Sequence, residues 1–237
     1  MSIHNYQTII ETGDGVLPHP FSTTSEMVFM APLYDIAQLI LAYKYGYFPW
    51  YEVNDLAVFF YPKRRYVIEP SKIKVPKSIK SYFNQAKYSI TLDQDFDRII
   101  RMCMTTPRPH QDGTWLTENF IMAYTTLHKL GIAHSVEVWD RGDNLVGGLY
   151  GVSLGKIFHG ESMFSHQPNG SRFGLIALAN VLEKLNFKYI DCQIENPYLQ
   201  SFGGQTLTKK IFFNEMRNNL FEPTIFGNWS NLLKQFY

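Results

Sequence analysis

From Thr117 to Ile194 the hydrophobic periods follow one another in an order that few folds accept. Phe120, Ile121, Tyr124 and Leu127 mark one face of a helix, with Thr117 able to cap its start and Gly131 its end. Three strand-like runs follow at 132–139, 145–152 and 156–164. Arg141-Gly-Asp-Asn144 and Leu154-Gly-Lys156 supply tight turns between them. Ser171 to Leu185 reads as a second helix and Phe187 to Ile194 as another strand. Helix, three-strand meander, helix, strand predicts an α+β fold, with helices packed on a mixed, mostly antiparallel sheet.

Upstream, residues 1 to about 26 form an irregular lead-in containing Pro18 and Pro20. Ile36, Leu39, Ile40 and Tyr43 have helical spacing, Asp35 can cap that helix, and Gly46 can close it. Pro49 then interrupts, which puts Trp50 on a loop or an extended segment. Residues 57–61 read as a strand and 93–104 as a short helix. Between 63 and 87 the chain carries Lys63, Arg64, Arg65, Lys72, Lys74, Lys77, Lys80 and Lys87 against Glu69 alone. Such a run is either a phosphate-binding face or a solvated surface. The chain changes character near residue 90, so a smaller N-terminal domain (1–90) and a larger domain (91–237) are expected.

The net charge of +1 leaves nucleic-acid contact to a local patch, since the whole chain is not basic. Two cysteines, Cys103 and Cys192, build neither a disulfide framework nor a Cys-rich zinc site. The seven histidines lack ligand spacing, so no metal is expected. No P-loop or Gly-x-Ser-x-Gly elbow is present. The start lacks a basic flank followed by an apolar run, and Asp35 interrupts the apolar stretch Val28–Tyr43. A cytoplasmic protein without membrane contact is the resulting expectation.

Chemistry-bearing residues gather on the last strands. Asp191 and Gln193 are two apart, which on a strand sets both on one face. A carboxylate beside an amide can hold an amine and turn it toward a carbonyl; the pair could equally be a polar strand end. Glu161 and Met163 share a face by the same period and could line a pocket with one charged end. Trp50 and Trp115 either plug a core or stack on something flat. The element order also fits an acyl-CoA-dependent N-acyltransferase. In Gln167-Pro-Asn-Gly-Ser-Arg172, however, Arg172 stands where a pyrophosphate loop needs a small residue, which points away from coenzyme A.

Taken together, Gly46-Tyr-Phe-Pro-Trp50, Gly113-Thr-Trp-Leu-Thr117, His134-Ser-Val-Glu-Val-Trp139, Val146-Gly-Gly-Leu-Tyr-Gly151, Gly160-Glu-Ser-Met-Phe-Ser165 and Ile190-Asp-Cys-Gln193 resemble the ordered motifs of the leucyl/phenylalanyl-tRNA–protein transferases. The likeness runs from about Leu39 to about Lys210. It implies an N-terminal RNA-contacting domain and a C-terminal domain similar to the N-acetyltransferase fold, with no cofactor and no coenzyme A. The implied donor is Leu- or Phe-tRNA, with Met a lesser one. The implied acceptor is a protein beginning with Arg or Lys, which the new peptide bond marks for degradation.

By the same resemblance Asp191 and Gln193 are the catalytic pair, acting by proton acceptance or by orientation alone. Leu149, Met163, Leu175 and Ile190 would line the donor side-chain pocket, with Leu178 and Leu182 beside it. Tyr43, Trp50, Trp115 and Tyr124 would surround the terminal adenosine. Glu161 would receive the cationic side chain of the acceptor, and the basic residues from Lys63 to Lys87 would grip phosphates. Met30-Ala-Pro-Leu33 replaces a Gly-Gly-Asp-Leu run usual in the family, and Ser201-Phe-Gly-Gly204 a Ser-Leu-Gly-Ala run. The rival readings are the acyl-CoA enzyme and a non-catalytic tRNA-binding module.

Overall fold

The computed structural model describes residues 15–107 and 116–233. Strand β1 (Met27–Ala31) leads to helix α1 (Ile36–Lys44). The Asp35 carboxylate accepts from Gln38 N at 3.1 Å and satisfies a first-turn amide. The helix ends where Gly46 takes φ +88°. A Cβ there would meet Phe212 Cε1 and Met216 Cγ at 2.8 Å, so both conformation and space require glycine. Strands β2 (Phe48–Val53) and β3 (Leu56–Phe60) form a hairpin whose two turn residues, Asn54 and Asp55, are left-handed. With β1 they make a three-stranded sheet in the order β1-β3-β2.

A seven-stranded sheet carries the rest. It contains β4 (Arg64–Ile68), β5 (Tyr88–Leu92), β6 (Ala133–Asp140), β7 (Leu145–Leu154), β8 (Ile157–Ser165), β9 (Tyr189–Asp191) and β10 (Gln205–Thr208). Their order is β10-β4-β9-β8-β7-β6-β5, antiparallel throughout except for β8 and β9. Helices α2 (Lys77–Asn84), α3 (Phe96–Thr105), α4 (Glu118–Lys129), α5 (Gly170–Lys184), α6 (Pro197–Gln200) and α7 (Lys209–Asn219) connect and cover it. The meander β6-β7-β8, the crossover α5 and the parallel strand β9 follow the order expected from the sequence. The fold is α+β, and the order of its connections is compatible with an N-acetyltransferase-like domain.

Two expectations change. A boundary at residue 90 would cut β5. It would also remove β4, which pairs with β10 on one side and β9 on the other. Helix α1 shares one apolar core with α4 and β7 through Ile36, Leu39, Ile40, Phe120, Tyr124 and Tyr150. The described residues before and after position 90 therefore do not form separate cores; strand pairing and burial both cross the line. The second change concerns the last strand, which stops at Asp191 rather than running to Ile194. Cys192 N donates to Tyr66 O at 2.9 Å and Tyr66 N to Gln193 O at 3.1 Å, while Gln193 turns left-handed at φ +57°.

Candidate active site

Between β7, β8, β9 and α6 lies a cavity of about 300 Å³. Leu149, Met163, Leu175, Ile190 and Leu199 give it apolar walls. Glu161, Gln193, Asn196 and Tyr198 add polar groups. A second cleft of about 140 Å³ runs under Phe48, Pro49 and Trp50 and shares Glu161, Cys192, Gln193 and Ile194 with the first. Gln193 and Glu161 thus stand where an apolar chamber meets an aromatic one.

Glu161 reaches this junction through a β-bulge. Tyr150 pairs with Ser162 and Gly151 with Gly160, so Glu161 is the extra residue. The bulge brings the chain so close that a Cβ on Gly151 would lie 2.2 Å from His159 O. The Tyr124 hydroxyl donates to Glu161 Oε2 at 2.8 Å, and the Tyr43 and Tyr124 hydroxyls bond to each other. Burial raises both phenols, and the Glu161 charge adds to it, so they stay protonated. Burial likewise pushes the Glu161 carboxyl up to about 7, against the hydrogen bonds from Tyr43 and Tyr124 that favour its anion.

Asp191 is fully buried and every approach to it is occupied. Arg65 Nε donates to Oδ1 at 2.7 Å and Arg65 Nη2 to Oδ2 at 2.6 Å. His159 Nδ1 lies 2.8 Å from Oδ2, and Gln193 N donates to Oδ1 at 3.1 Å. Burial alone would raise this carboxyl. The Arg65 charge and the hydrogen bonds from Arg65 and His159 prevail and hold it well below the usual carboxylate range. Gln193 Nε2 donates to Gly160 O at 2.8 Å and faces Glu161 Oε1 at 3.4 Å. The Gln193 amide nitrogen is thus engaged, and the residue lines both chambers.

Several sequence assignments need correction. Asp191 and Gln193 do not share a strand face, because the strand ends between them and Gln193 is left-handed. Arg65 is not available to phosphates: it is wholly buried, paired with Asp191 and clamped between the Phe48 and Phe212 rings at 4.7 and 4.6 Å. Tyr43 and Tyr124 are also fully buried, so neither offers a face to a base. Their hydroxyls serve Glu161 instead.

Leu178 and Leu182 are fully buried one and two turns along α5 from Leu175; they pack the core and do not line the cavity. Trp115 lies outside the described residues. Trp50 is 39% exposed and roofs the second cleft. Lys63, Arg64, Lys72, Lys74, Lys77, Lys80 and Lys87 are exposed. Of these Lys72 pairs with Glu69 at 2.7 Å, and Lys87 lies over the Tyr82 ring at 4.1 Å.

His159 was not legible as a site residue, because only the parallel register sets it beside Asp191. Tyr198 and Leu199 enter through the short helix α6, a turn that the sequence pattern does not announce. Among the described residues no cluster of three or more His, Cys, Asp or Glu side chains could hold a metal ion. Within the same residues no helix is long and apolar enough to cross a membrane.

The leucyl/phenylalanyl-tRNA protein transferase family profile matches residues 67–217. Three relatives bear the name leucyl/phenylalanyl-tRNA–protein transferase. The protein of Syntrophus aciditrophicus (strain SB) is 44% identical over 194 residues, which is 81% of this chain and 80% of that one. The protein of Pseudomonas fluorescens (strain SBW25) is 42% identical, over 81% of this chain and 84% of that one. The protein of Oleidesulfovibrio alaskensis is 37% identical over 217 residues, 90% of this chain and 88% of that one. The matched span holds β9, the Glu161 bulge and the whole apolar cavity, and on these grounds the chain belongs to the leucyl/phenylalanyl-tRNA–protein transferase family.

Proposed function

We propose that this chain transfers Leu or Phe, and Met less well, from a charged transfer RNA to the N-terminal amine of proteins that begin with Arg or Lys. The observation that carries the reading is the junction of the apolar cavity with the Trp50 cleft at Gln193 and Glu161. A donor side chain fits among Leu149, Met163, Leu175 and Ile190, and the terminal adenine stacks on Trp50. The ester carbon then sits at the junction. Unbranched Met163 adapts to Leu, Phe or Met, whereas β-branched side chains are stiff near the backbone. The exposed residues Lys63, Arg64, Lys72, Lys74, Lys77, Lys80 and Lys87 supply phosphate contacts that are indifferent to RNA sequence.

In the reaction the acceptor amine attacks the ester carbonyl. A C–N bond forms, the C–O bond to the ribose breaks, and the amine proton ends on the leaving ribose oxygen. The ester is already activated, so the chief requirement is placement. Gln193 Oε1 accepts a hydrogen bond from the amine and orients it. Asp191 does not take the proton: its oxygens are occupied and its carboxyl is held far below neutral. Its part is to fix the Gln193 turn, and this supports the orienting, substrate-assisted route over general-base catalysis. Glu161 receives the acceptor's cationic side chain, which lowers its carboxyl back toward ionisation.

Coenzyme A fits less well. The Ser171 amide at the start of α5, where a pyrophosphate would sit, is already bonded to Ser165 Oγ at 2.7 Å. A Cβ on Gly147 would meet the Gly170 backbone at 2.7 Å, so that helix start is packed against β7.

The test is transfer of labelled Leu or Phe from charged RNA to a peptide beginning with Arg. Transfer by the wild-type protein that drops by about two orders of magnitude in Gln193→Ala supports the assignment. Charged RNA bound without any transfer would leave a tRNA-binding module instead.

A further inference from the structure

We infer, on the transfer reading given above, that Arg65 is a positioning residue: its guanidinium fork holds Asp191 so that the Asp191–Gln193 turn aims the Gln193 amide into the junction of the two chambers. Several observations converge on it. Arg65 lies on β4, an interior strand of the large sheet, and is wholly buried together with the carboxylate it binds. A buried ion pair is a poor way to gain stability, because removing both charges from water offsets most of their attraction. Its geometry is the two-pronged one that only arginine makes, Nε to Oδ1 at 2.7 Å and Nη2 to Oδ2 at 2.6 Å.

The carboxylate so held does something local. Asp191 Oδ1 accepts from Gln193 N at 3.1 Å. That contact closes the turn in which Gln193 stands at φ +57°, a conformation that is unfavourable for a residue with a side chain. In this turn Gln193 Nε2 reaches Gly160 O at 2.8 Å, which fixes the amide plane. If the Asp191 carboxylate rotated, Oδ1 would leave the Gln193 amide and the side chain would lose its aim. His159 braces Oδ2 at 2.8 Å, whereas Arg65 bonds both oxygens.

The same guanidinium also registers the other chamber. It stacks on Phe48 at 4.7 Å, and Phe48 precedes Pro49 and Trp50, the roof of the second cleft. Phe212 of α7 closes the opposite face at 4.6 Å. One side chain thus touches both the strand that carries Trp50 and the carboxylate that closes the Gln193 turn. Arg65 touches neither of the two chambers, so it acts only through its neighbours.

The experiment compares wild type with Arg65→Lys, which keeps the charge and loses the fork. Transfer of Leu or Phe to an Arg-peptide is measured across pH, beside hydrogen exchange of the Gln193 amide by NMR. In the wild type the Gln193 amide should be protected from exchange. In Arg65→Lys protection should fall at least tenfold and kcat about a hundredfold, with KM for charged RNA unchanged. The acid limb of the kcat–pH profile should also move upward, because Asp191 loses the paired hydrogen bonds from the guanidinium that favour its anion. An Arg65→Lys enzyme with wild-type kcat overturns the inference. So does a variant in which kcat and KM fail together with no change in the pH profile, which marks a structural role only. Should the variant fail to fold, the wild-type amide decides: exchange at the rate of an open loop overturns the turn that Arg65 is said to hold. Absence of transfer by the wild type overturns the transfer reading itself, and is told apart because Gln193 protection is read without substrate.

Discussion

Glu161→Gln tests the electrostatics of the junction most directly. The Glu161 carboxyl moves from its ordinary 4.5 to about 7 on folding, chiefly through burial. Below pH 4.5 it is protonated in folded and unfolded chains alike and has no effect on stability. Between 4.5 and 7 the folded chain keeps a proton that the unfolded chain releases, so stability falls as pH rises. Above 7 the full cost is present, at most about 3 kcal/mol. The side chain faces an open cavity, which brings the expected value nearer to about 1–2 kcal/mol.

Glutamine keeps the shape and removes this titration. Relative to wild type, Glu161→Gln should therefore be about 1–2 kcal/mol more stable at pH 8 than at pH 4.5. Urea unfolding at both values measures the difference, with the m-value checking that the transition is otherwise the same. Asp191 does not blur the comparison. Its lowered carboxyl adds stability that is lost only as pH falls below its ordinary value of 3.8, outside the window, and it is present in both proteins. Parallel stability curves for the two proteins from pH 4.5 to 8 would refute the reasoning. In transfer assays the same variant should lose preference for acceptors that begin with Arg or Lys, because a neutral amide cannot pair with a cation.

Three further outcomes are expected. Leu178→Ala should cost about 2–5 kcal/mol in urea unfolding yet leave the ratio of Leu to Phe transfer unchanged, whereas Leu149→Ala should shift that ratio. Trp50→Ala should weaken binding of charged RNA by about 1–3 kcal/mol in a titration, without altering the fold seen by circular dichroism. Replacing Lys77 and Lys80 together by Ala should flatten the salt dependence of RNA binding by about 1–2 in log–log slope, and a slope identical to wild type would remove both from the interface.

The local patterns were legible because helices and tight turns are specified by near neighbours in the chain. Ile36, Leu39, Ile40 and Tyr43 announced α1, and Asp35 and Gly46 closed it as capping chemistry requires. The meander β6-β7-β8 followed from its two short turns, and the α+β class from the order of elements. The ordered motifs further identified the family. Composition likewise showed that any RNA contact had to be local.

What tertiary structure decided concerns pairs of residues far apart in the chain. Eight basic residues between 63 and 87 look alike in sequence, yet pairing of β4 with β9 and β10 buries Arg65 and leaves its neighbours Lys63 and Arg64 in solvent. Tyr43 and Tyr124 are 81 positions apart, and only the packing of α1 on α4 turns them from base-stacking candidates into donors for Glu161. The period-of-two rule set Asp191 and Gln193 side by side, but the strand ends between them. The charge of Asp191 depends on Arg65, 126 positions away, and on a histidine that the parallel register brings to it. A carboxylate's chemistry is fixed by its solvation and its partners, and both are properties of the folded chain rather than of the segment that carries it.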